Sequence, residues 1–141
     1  MSNTIYKNIA SEEGLEALVR ELRIKDLIPV SIGLVGELGA GKTTLVKFIA
    51  KSLDIDPSEV SSPSYNLLNG YQSSKFLIEH WDLYRLDYLP EELNYTPESN
   101  VLRIIEWSNL VENPSAILDY EIKIEMQNDQ LREYSLISLK S

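Results

Sequence analysis

Hydrophobic periodicity divides the first half of the chain into two strands and two helices. Weak alternation predicts a first strand over Thr4–Ile9, and the apolar run Ile28–Val35 predicts a second, buried strand. Ser11, as N-cap, precedes the first helix. Each helix shows apolar residues at helical spacing, namely Leu15, Leu18, Val19 and Leu22 in the first, and Leu45, Val46, Phe48, Ile49 and Leu53 in the second.

The second half contains five candidate strands: Tyr65–Tyr71, Lys75–Trp81, Val101–Glu106, Tyr120–Met126 and Leu131–Leu139. The last two alternate with a period of two, while Val101–Glu106 is a short apolar run. The first two could form a hairpin, turning either through Asn69-Gly70 or at Gln72-Ser73-Ser74, and the last two flank a predicted turn at 127–130. A short helix begun by Pro90 is expected over 89–95. This order of elements predicts an α/β domain with a mixed sheet.

Composition narrows the class of protein. The chain has 141 residues, which fits a single domain over 1–141, and its net charge of −9 argues against broad binding to nucleic acid or anionic membranes. It has no cysteine, so disulfides, thiolate zinc sites and cysteine nucleophiles are excluded. The N-terminus lacks a signal-peptide pattern and no apolar run reaches membrane-spanning length, so a cytoplasmic location is expected.

The stretch 36–44, between the second strand and the second helix, matches G-x-x-x-x-G-K-[ST] and is called the glycine loop below. Its backbone N–H groups and the helix start would cradle phosphates, with Lys42 on the β- and γ-phosphates and the Thr43 hydroxyl on Mg²⁺. A nucleoside triphosphate with Mg²⁺ is therefore expected, and no adenine signature is evident in the sequence; ATP as the nucleotide is what the family resemblance below implies. The predicted fold is P-loop NTPase-like and three-layered, with a mixed, mostly parallel sheet and antiparallel edge hairpins. The predicted nucleotide contacts are Glu37, Leu38, Gly39, Ala40, Gly41, Lys42, Thr43 and Thr44.

Hydrolysis needs a further carboxylate, and two apolar runs end in acids. One delivers Glu106 and the other delivers Glu79 or Asp82, although each could also be an ordinary strand-end carboxylate in water. His80 is the single histidine, and such a residue is more often structural than catalytic. Trp81 and Trp107, next to the acids, are better interpreted as wall or core. No N-K-x-D stretch is present, so the guanine-reading element of GTPases is missing.

The complete set of motifs resembles the bacterial TsaE (YjeE) family. The phosphate loop is followed in order by Val60–Tyr65, by His80–Leu86 in the pattern H-x-D-x-Y-R-L, and by Glu106-Trp107. The loop alone is common to many ATPases, whereas the H-x-D-x-Y-R-L pattern followed by E-W is specific. The resemblance extends from about Ser11 to Arg132.

The resemblance implies a small P-loop ATPase of tRNA threonylcarbamoyladenosine synthesis. Members of the family bind the TsaB–TsaD pair, whose turnover needs ATP binding and hydrolysis, and they meet tRNA only through that complex. Carried over to this chain, the family roles place Lys42 on phosphates and Thr43 and Glu106 on Mg²⁺, with Asp82 as the second essential acid. Ser62–Tyr65 matches a switch-like segment, and Ser11 and Arg132 match the base or sugar end of the nucleotide.

Some positions depart from the family pattern, and two other functions stay open. Glu37 stands where the family often has Asp, Ser64 replaces Thr, and the segment 87–102, which could contribute to the partner surface, is less acidic and helical than expected. One alternative is a small nucleoside or metabolite kinase, whose arginine-rich lid is not evident after Ser52. The other is a nucleotide-dependent binding switch with incidental hydrolysis.

Overall fold

Seven strands form one sheet in the computed structural model, which describes residues 3–37, 39–61, 66–108 and 111–139. In chain order they are β1 (Asn3–Ala10), β2 (Val30–Val35), β3 (Leu68–Gln72), β4 (Leu77–Asp82), β5 (Val101–Glu106), β6 (Tyr120–Met126) and β7 (Arg132–Ser138). Their spatial order is β1-β7-β6-β2-β5-β4-β3. The four central strands are parallel, while β3–β4, β6–β7 and β1–β7 pair antiparallel. The predicted mixed sheet with parallel centre and antiparallel edge hairpins is confirmed.

Strands β2 and β5 form the middle of the sheet and are buried along almost their whole length. Both faces of the sheet are covered there, which explains why these segments read as continuous apolar runs rather than as alternating ones. Register places Leu34 of β2 opposite Glu106 of β5, and Glu106 opposite Asp82 of β4. The carboxyl ends of three parallel strands therefore meet at one edge of the sheet, where ligands collect in open α/β folds.

Three α-helices contribute side chains to the larger core cluster on one face of the sheet: α1 (Leu15–Leu22), α2 (Ile24–Leu27) and α3 (Lys42–Ser52). Helix α1 buries the apolar stripe that its spacing predicts. The prediction that Ser11 caps this helix is wrong. Ser11 precedes a 3₁₀ turn at Glu12–Gly14 and its side chain makes no capping hydrogen bond, while α1 begins only at Leu15. The short helix α2 was not predicted.

A smaller core covers the opposite face of the sheet. It contains Trp81, Leu83, Leu93, Ile105, Ile117 and Leu118 and lies beneath loops and two 3₁₀ turns, Glu91–Asn94 and Pro114–Ala116. The helix expected over 89–95 is the first of these 3₁₀ turns. In the part of the chain that the structure describes, this layer consists of loops and short 3₁₀ turns. Helices α1, α2 and α3 all lie on the other face, which carries the glycine loop.

Of the two turns predicted for the first hairpin, the structure contains the later one, and its first strand starts after its predicted boundary. Strand β3 includes Asn69 and Gly70, so the hairpin turns afterwards at Ser73, whose amide donates to the Phe76 carbonyl at 2.9 Å. Of the predicted strand residues, 66 and 67 precede β3 without belonging to it, while 65 lies outside the described residues, as do 62–64. Among the helices described, none is long and apolar enough to cross a lipid bilayer.

Candidate functional site

The glycine loop joins the buried end of β2 to the start of α3. Gly39 and Gly41 adopt φ angles of 81° and 98°, in the left-handed region that L side chains avoid at a cost of roughly 1–2 kcal/mol per residue. A Cβ at either position would meet nothing within 4 Å, so the need for glycine is conformational rather than steric. The Ala40 amide closes the turn by donating to the Glu37 carbonyl at 3.0 Å. Leu38, predicted to contact nucleotide, lies outside the described residues.

Helix α3 begins directly at the loop, with Gly41 as its N-cap residue. The first amides of a helix have no partner within the helix, and the aligned peptide dipoles place partial positive charge at this end. Thr43 and Thr44, the second and third residues of α3, are half-buried beside it. The loop and the first turn of α3 therefore form an anion-binding site suited to phosphate groups.

Lys42 lies between the loop and the strand ends. Its Nζ donates to the Gly36 carbonyl at 3.1 Å and lies 3.9 Å from Glu106 Oε1, and only 8% of the residue is exposed. Burial lowers the pKa of Lys42, while the carboxylates of Glu106 and Asp82 act in the opposite direction. The ammonium is thus held at the point where phosphates on the loop would face the acids.

Trp107 forms one wall of this site. Its ring centroid lies 3.9 Å from the Lys42 Nζ, a cation–π contact, and 4.7 Å from the Tyr84 ring. Trp107 has a φ of 64°, which is uncommon for a bulky residue. Because β5 ends at Glu106, this turn directs the chain away from the sheet immediately after the acid.

Asp82 and Glu106 are register partners on adjacent parallel strands, and both are buried. The Tyr84 amide donates to Asp82 Oδ1 at 2.8 Å, which fixes the orientation of that carboxylate. Side chains alternate along β4, so Asp82 shares the face of the core residue Ile78, on which α3 lies. Lys42, Asp82 and Glu106, predicted from separate parts of the chain, are brought together here.

Glu79, the other acid considered at the end of β4, lies on the opposite face. Its Oε1 accepts hydrogen bonds from Arg103 Nε at 2.8 Å and from Trp81 Nε1 at 3.0 Å. Arg103 also donates from Nη1 to the Tyr95 carbonyl at 2.6 Å. These contacts separate Glu79 from the phosphate loop, so Asp82 is the acid that β4 contributes to the site.

His80 and Tyr71 are two buried residues at the site that the sequence reasoning did not assign to it. His80 is completely buried, its Nε2 lies 2.5 Å from Glu106 Oε2, and its Nδ1 lies 3.0 Å from the Tyr71 hydroxyl. Alternation along β4 was a usable signal, because it places His80 and Asp82 on one face. The contact with Glu106 depends on the pairing of β4 with β5, which periodicity does not show.

Two cavities flank the loop. One of about 450 Å³ is lined by Ser11, Gly39, Gly41, Thr44 and Arg132, among others, so the first and last predicted nucleotide contacts share its wall. The Arg132 guanidinium also secures the loop, because its Nε donates to the Ala40 carbonyl at 3.1 Å. The second cavity, of about 520 Å³, lies on the other side against Gly36, Glu37, Trp107 and Lys123.

The possible metal ligands at the start of α3 and at the strand ends suit a hard cation. Thr43, Asp82 and Glu106 offer only oxygen, the ligand atom that Mg²⁺ prefers. Within the described ranges there is no group of three or more His, Cys, Asp or Glu side chains that could hold a metal by themselves. Mg²⁺ in nucleotide sites is usually held by one or two carboxylates together with water and substrate phosphates.

A glycine loop between a central parallel strand and a helix, with a buried lysine and acids at neighbouring strand ends, defines a P-loop NTPase-like α/β protein. The family model described as "Threonylcarbamoyl adenosine biosynthesis protein TsaE" matches residues 8–134. The chain belongs to this family, whose members act in tRNA threonylcarbamoyladenosine biosynthesis.

Individual relatives agree with this assignment. The TsaE protein of Rickettsia conorii is 36% identical over 132 residues, covering 91% of this chain and 75% of the relative. That of Aquifex aeolicus is 37% identical over 118 residues, covering 81% of this chain and 84% of the relative. The crystal structure of Bacillus subtilis YdiB superposes with a TM-score of 0.71 at 22% identity, over 99% of this chain and 88% of that one, which supports the fold.

Proposed function

We propose that this chain is an ATP-binding and ATP-hydrolysing subunit required for tRNA N6-threonylcarbamoyladenosine modification, acting with a TsaB–TsaD pair. The observation that carries the proposal is the convergence of Lys42, Asp82 and Glu106 on the glycine loop. Membership of the TsaE family supports the pathway. The hydrolytic activity and the partners are the parts that need experiment.

In this proposal the loop amides and Lys42 bind the phosphates, because they supply the positive charge at the site. Thr43 and Glu106 hold Mg²⁺, which when bound neutralises charge that develops on the phosphates. Asp82, oriented by the Tyr84 amide, is the second acid and faces the same region. Ser11 and Arg132 line the cavity on the side assigned to the base and sugar of ATP.

The partners follow from charge as well as from family. A net charge of −9 is unfavourable for direct binding of tRNA, whose phosphates are also negative. We therefore assign tRNA contact to the TsaD-like and TsaB-like proteins, and we place the chain in the cytoplasm with them. A subunit of this kind supplies nucleotide-dependent steps while the transfer chemistry takes place on another protein.

The test is reconstitution of tRNA modification with TsaB and TsaD, with and without this chain, together with ATP hydrolysis in the same mixtures. We expect modification to require the chain and hydrolysis to rise when the pair is added. The Lys42→Ala variant should abolish both, whereas Lys47→Ala, an exposed lysine on the same helix, should leave both unchanged. Unchanged turnover by Lys42→Ala would refute the site. Absence of both stimulation and a complex in size-exclusion chromatography would favour the kinase alternative.

A further inference from the structure

We propose that His80 and Tyr71 are positioning residues that hold the Glu106 carboxylate in place and connect it to the backbone of Ser61. The inference rests on the proposed function in one respect, which is the role of Glu106 as a magnesium ligand. It adds a relay of hydrogen bonds, Glu106–His80–Tyr71–Ser61, that runs from the phosphate site across β4 to the chain preceding β3.

In the first step of the relay, the two carboxylate oxygens of Glu106 have different partners. Oε2 lies 2.5 Å from His80 Nε2, while Oε1 is directed toward Lys42 Nζ at 3.9 Å. A carboxylate only accepts hydrogen bonds, so Nε2 must carry the hydrogen. The imidazole therefore leaves Oε1 for the site and prevents the carboxylate from rotating. Ligating groups in metal sites are commonly held by such outer partners.

The second step concerns the other side of the same ring. The Tyr71 hydroxyl lies 3.0 Å from His80 Nδ1, and the two rings meet edge to face with centroids 5.8 Å apart. Both residues are buried, at 3% and 0% exposure. With Nε2 as donor, the neutral imidazole presents Nδ1 as an acceptor, which the Tyr71 hydroxyl can satisfy.

The third step links Tyr71 to the main chain of Ser61. The hydroxyl lies 2.9 Å from the Ser61 carbonyl oxygen, and the Ser61 amide donates to the same hydroxyl at 3.3 Å. A hydroxyl has one hydrogen, so it can satisfy either His80 Nδ1 or the Ser61 carbonyl at one time. A displacement of Ser61 therefore changes what the imidazole receives from Tyr71, and through it the hold on Glu106.

A matched pair of substitutions at His80 separates positioning from mere core filling. The amide of glutamine can reach the place of Nε2 and keep the donor to Glu106, whereas that of asparagine reaches only the place of Nδ1. We expect His80→Asn to weaken Mg²⁺-dependent binding of ATP by about 10-fold or more and His80→Gln to retain most of it. At saturating Mg²⁺ the KM for ATP should change little in either variant, because the loop binds the phosphates and the weakened metal site is then filled. Equal behaviour of the two variants would overturn the proposal.

Tyr71→Phe tests the far end of the relay, since it removes only the hydroxyl. We expect the Mg²⁺ concentration needed for half-maximal nucleotide binding to rise by about fivefold, the value of one ordinary hydrogen bond. Tyr6→Phe is the matched control, because the Tyr6 hydroxyl contacts Glu21 at the sheet edge, far from the site. A Tyr71→Phe variant that behaves like Tyr6→Phe would remove Tyr71 and Ser61 from the relay.

A readout independent of catalysis comes from the single histidine of the chain, whose imidazole signals in a ¹⁵N-labelled sample need no assignment. We expect hydrogen on Nε2, with the Nδ1 signal shifting in Tyr71→Phe and on addition of Mg²⁺ with a non-hydrolysable ATP analogue. Hydrogen on Nδ1 alone would contradict the relay. Glu106→Gln distinguishes the two levels of proposal: unaltered Mg²⁺ dependence in that variant refutes the metal assignment, while the imidazole spectrum of the native chain still tests the hydrogen bonds.

Discussion

Strands β4 and β5 carry buried charges on both of their faces, and the two faces differ in how those charges are satisfied. On one face Glu79 and Arg103 are opposite each other in register. On the other face Asp82 and Glu106 are opposite each other at the strand ends, three register positions further along. The same two strands therefore contain a pair of opposite charges and a pair of like charges within a few residues.

On the first face the charges are satisfied within the protein. Arg103 Nε contacts Glu79 at 2.8 Å, Nη1 binds the Tyr95 carbonyl, and Trp81 donates a further bond to Glu79. These bonds also attach the turn that contains Tyr95 to the sheet. Arg103 is buried and Glu79 is half-buried, so breaking the pair leaves a charge without its compensating partner.

On the second face Glu106 contacts His80 and Asp82 accepts from the Tyr84 amide, while the Lys42 ammonium lies 3.9 Å from Glu106 and makes no closer ion pair with it. The like charges on adjacent strands repel each other, so a cation at the strand ends would be stabilised by both. The comparison shows which buried charges support the fold and which are arranged for a ligand. The predictions below test that distinction, starting with the largest expected effect.

Arg103→Met should destabilise the protein by about 3 kcal/mol, the low end of the range for breaking a buried ion pair, because Arg103 is buried and the half-buried Glu79 loses its partner. Chemical denaturation followed by circular dichroism measures the change. The double variant Glu79→Met/Arg103→Met is the control, and it should recover most of the stability since the unpaired charge is gone. If the single and double variants unfold at the same denaturant concentration, the pair does not have the structural role assigned to it.

Lys42→Met should have the opposite profile. We expect ATP hydrolysis to fall by about 10²–10³-fold, the usual effect of removing a donor that stabilises developing charge, and the free energy of unfolding to stay level or rise. The reason is that the Lys42 ammonium is buried without close contact to an acid. Lys47→Met controls for the loss of a positive charge on the same helix. A large loss of stability in Lys42→Met alone would place Lys42 with Arg103 as a structural cation.

Replacing one carboxylate on each face by its amide compares the faces directly. Glu79→Gln removes a charge-assisted bond to Arg103 and should lower stability by about 1.5–3 kcal/mol with hydrolysis retained. Glu106→Gln should change stability less and weaken Mg²⁺-dependent ATP binding by about 10-fold or more. Calorimetric titration of ATP at several Mg²⁺ concentrations measures the Mg²⁺-dependent affinity of each variant, and chemical denaturation measures the free energy of unfolding of each. The comparison fails if the two variants show the same pattern.

Much of the fold could be predicted because the signals are local. The stripe in α1 and the hairpin of β6 and β7 follow from periodicity, and the glycine loop identifies the strand and the helix beside it. The failures concern energetics that periodicity does not contain. Ser11 is followed by a 3₁₀ turn instead of the α-helix. The short helix expected over 89–95 is confirmed only as a four-residue 3₁₀ helix, Glu91–Asn94, with Pro90 as its N-cap residue and Leu93 buried.

The site was predictable only as far as each residue could be identified within its own segment. The loop motif predicts Lys42 and Thr43 without tertiary information, and strand ends predict acids. Alternation along β4 separates Glu79 from Asp82, but only the packing of α3 decides which face contains the site. The contacts of Glu106 with His80, and of His80 with Tyr71, need strand register across three strands. For this reason the sequence alone favours a structural role for His80.

The smallest expected effect is in the pH dependence of stability on the loop face. Burial lowers the pKa of Lys42 in the folded protein below that of the unfolded chain, which is about 10.4. At lower pH Lys42 is charged in both states, and the stability difference between the native chain and Lys42→Met is constant. As pH rises through the folded pKa, the folded state releases its proton first, so the unfolded state binds more protons and the native chain gains stability relative to Lys42→Met.

The gain in stability is about 1.4 kcal/mol for each unit by which the pKa of Lys42 is lowered, and it ends near pH 10.4. Denaturation of both proteins without nucleotide, between about pH 7 and about pH 11, measures it, with Lys47→Met as the control for a lost surface charge. A difference that is flat across this range would show that the ammonium is as well solvated in the folded protein as in the unfolded chain, and would weaken the contrast between the two faces.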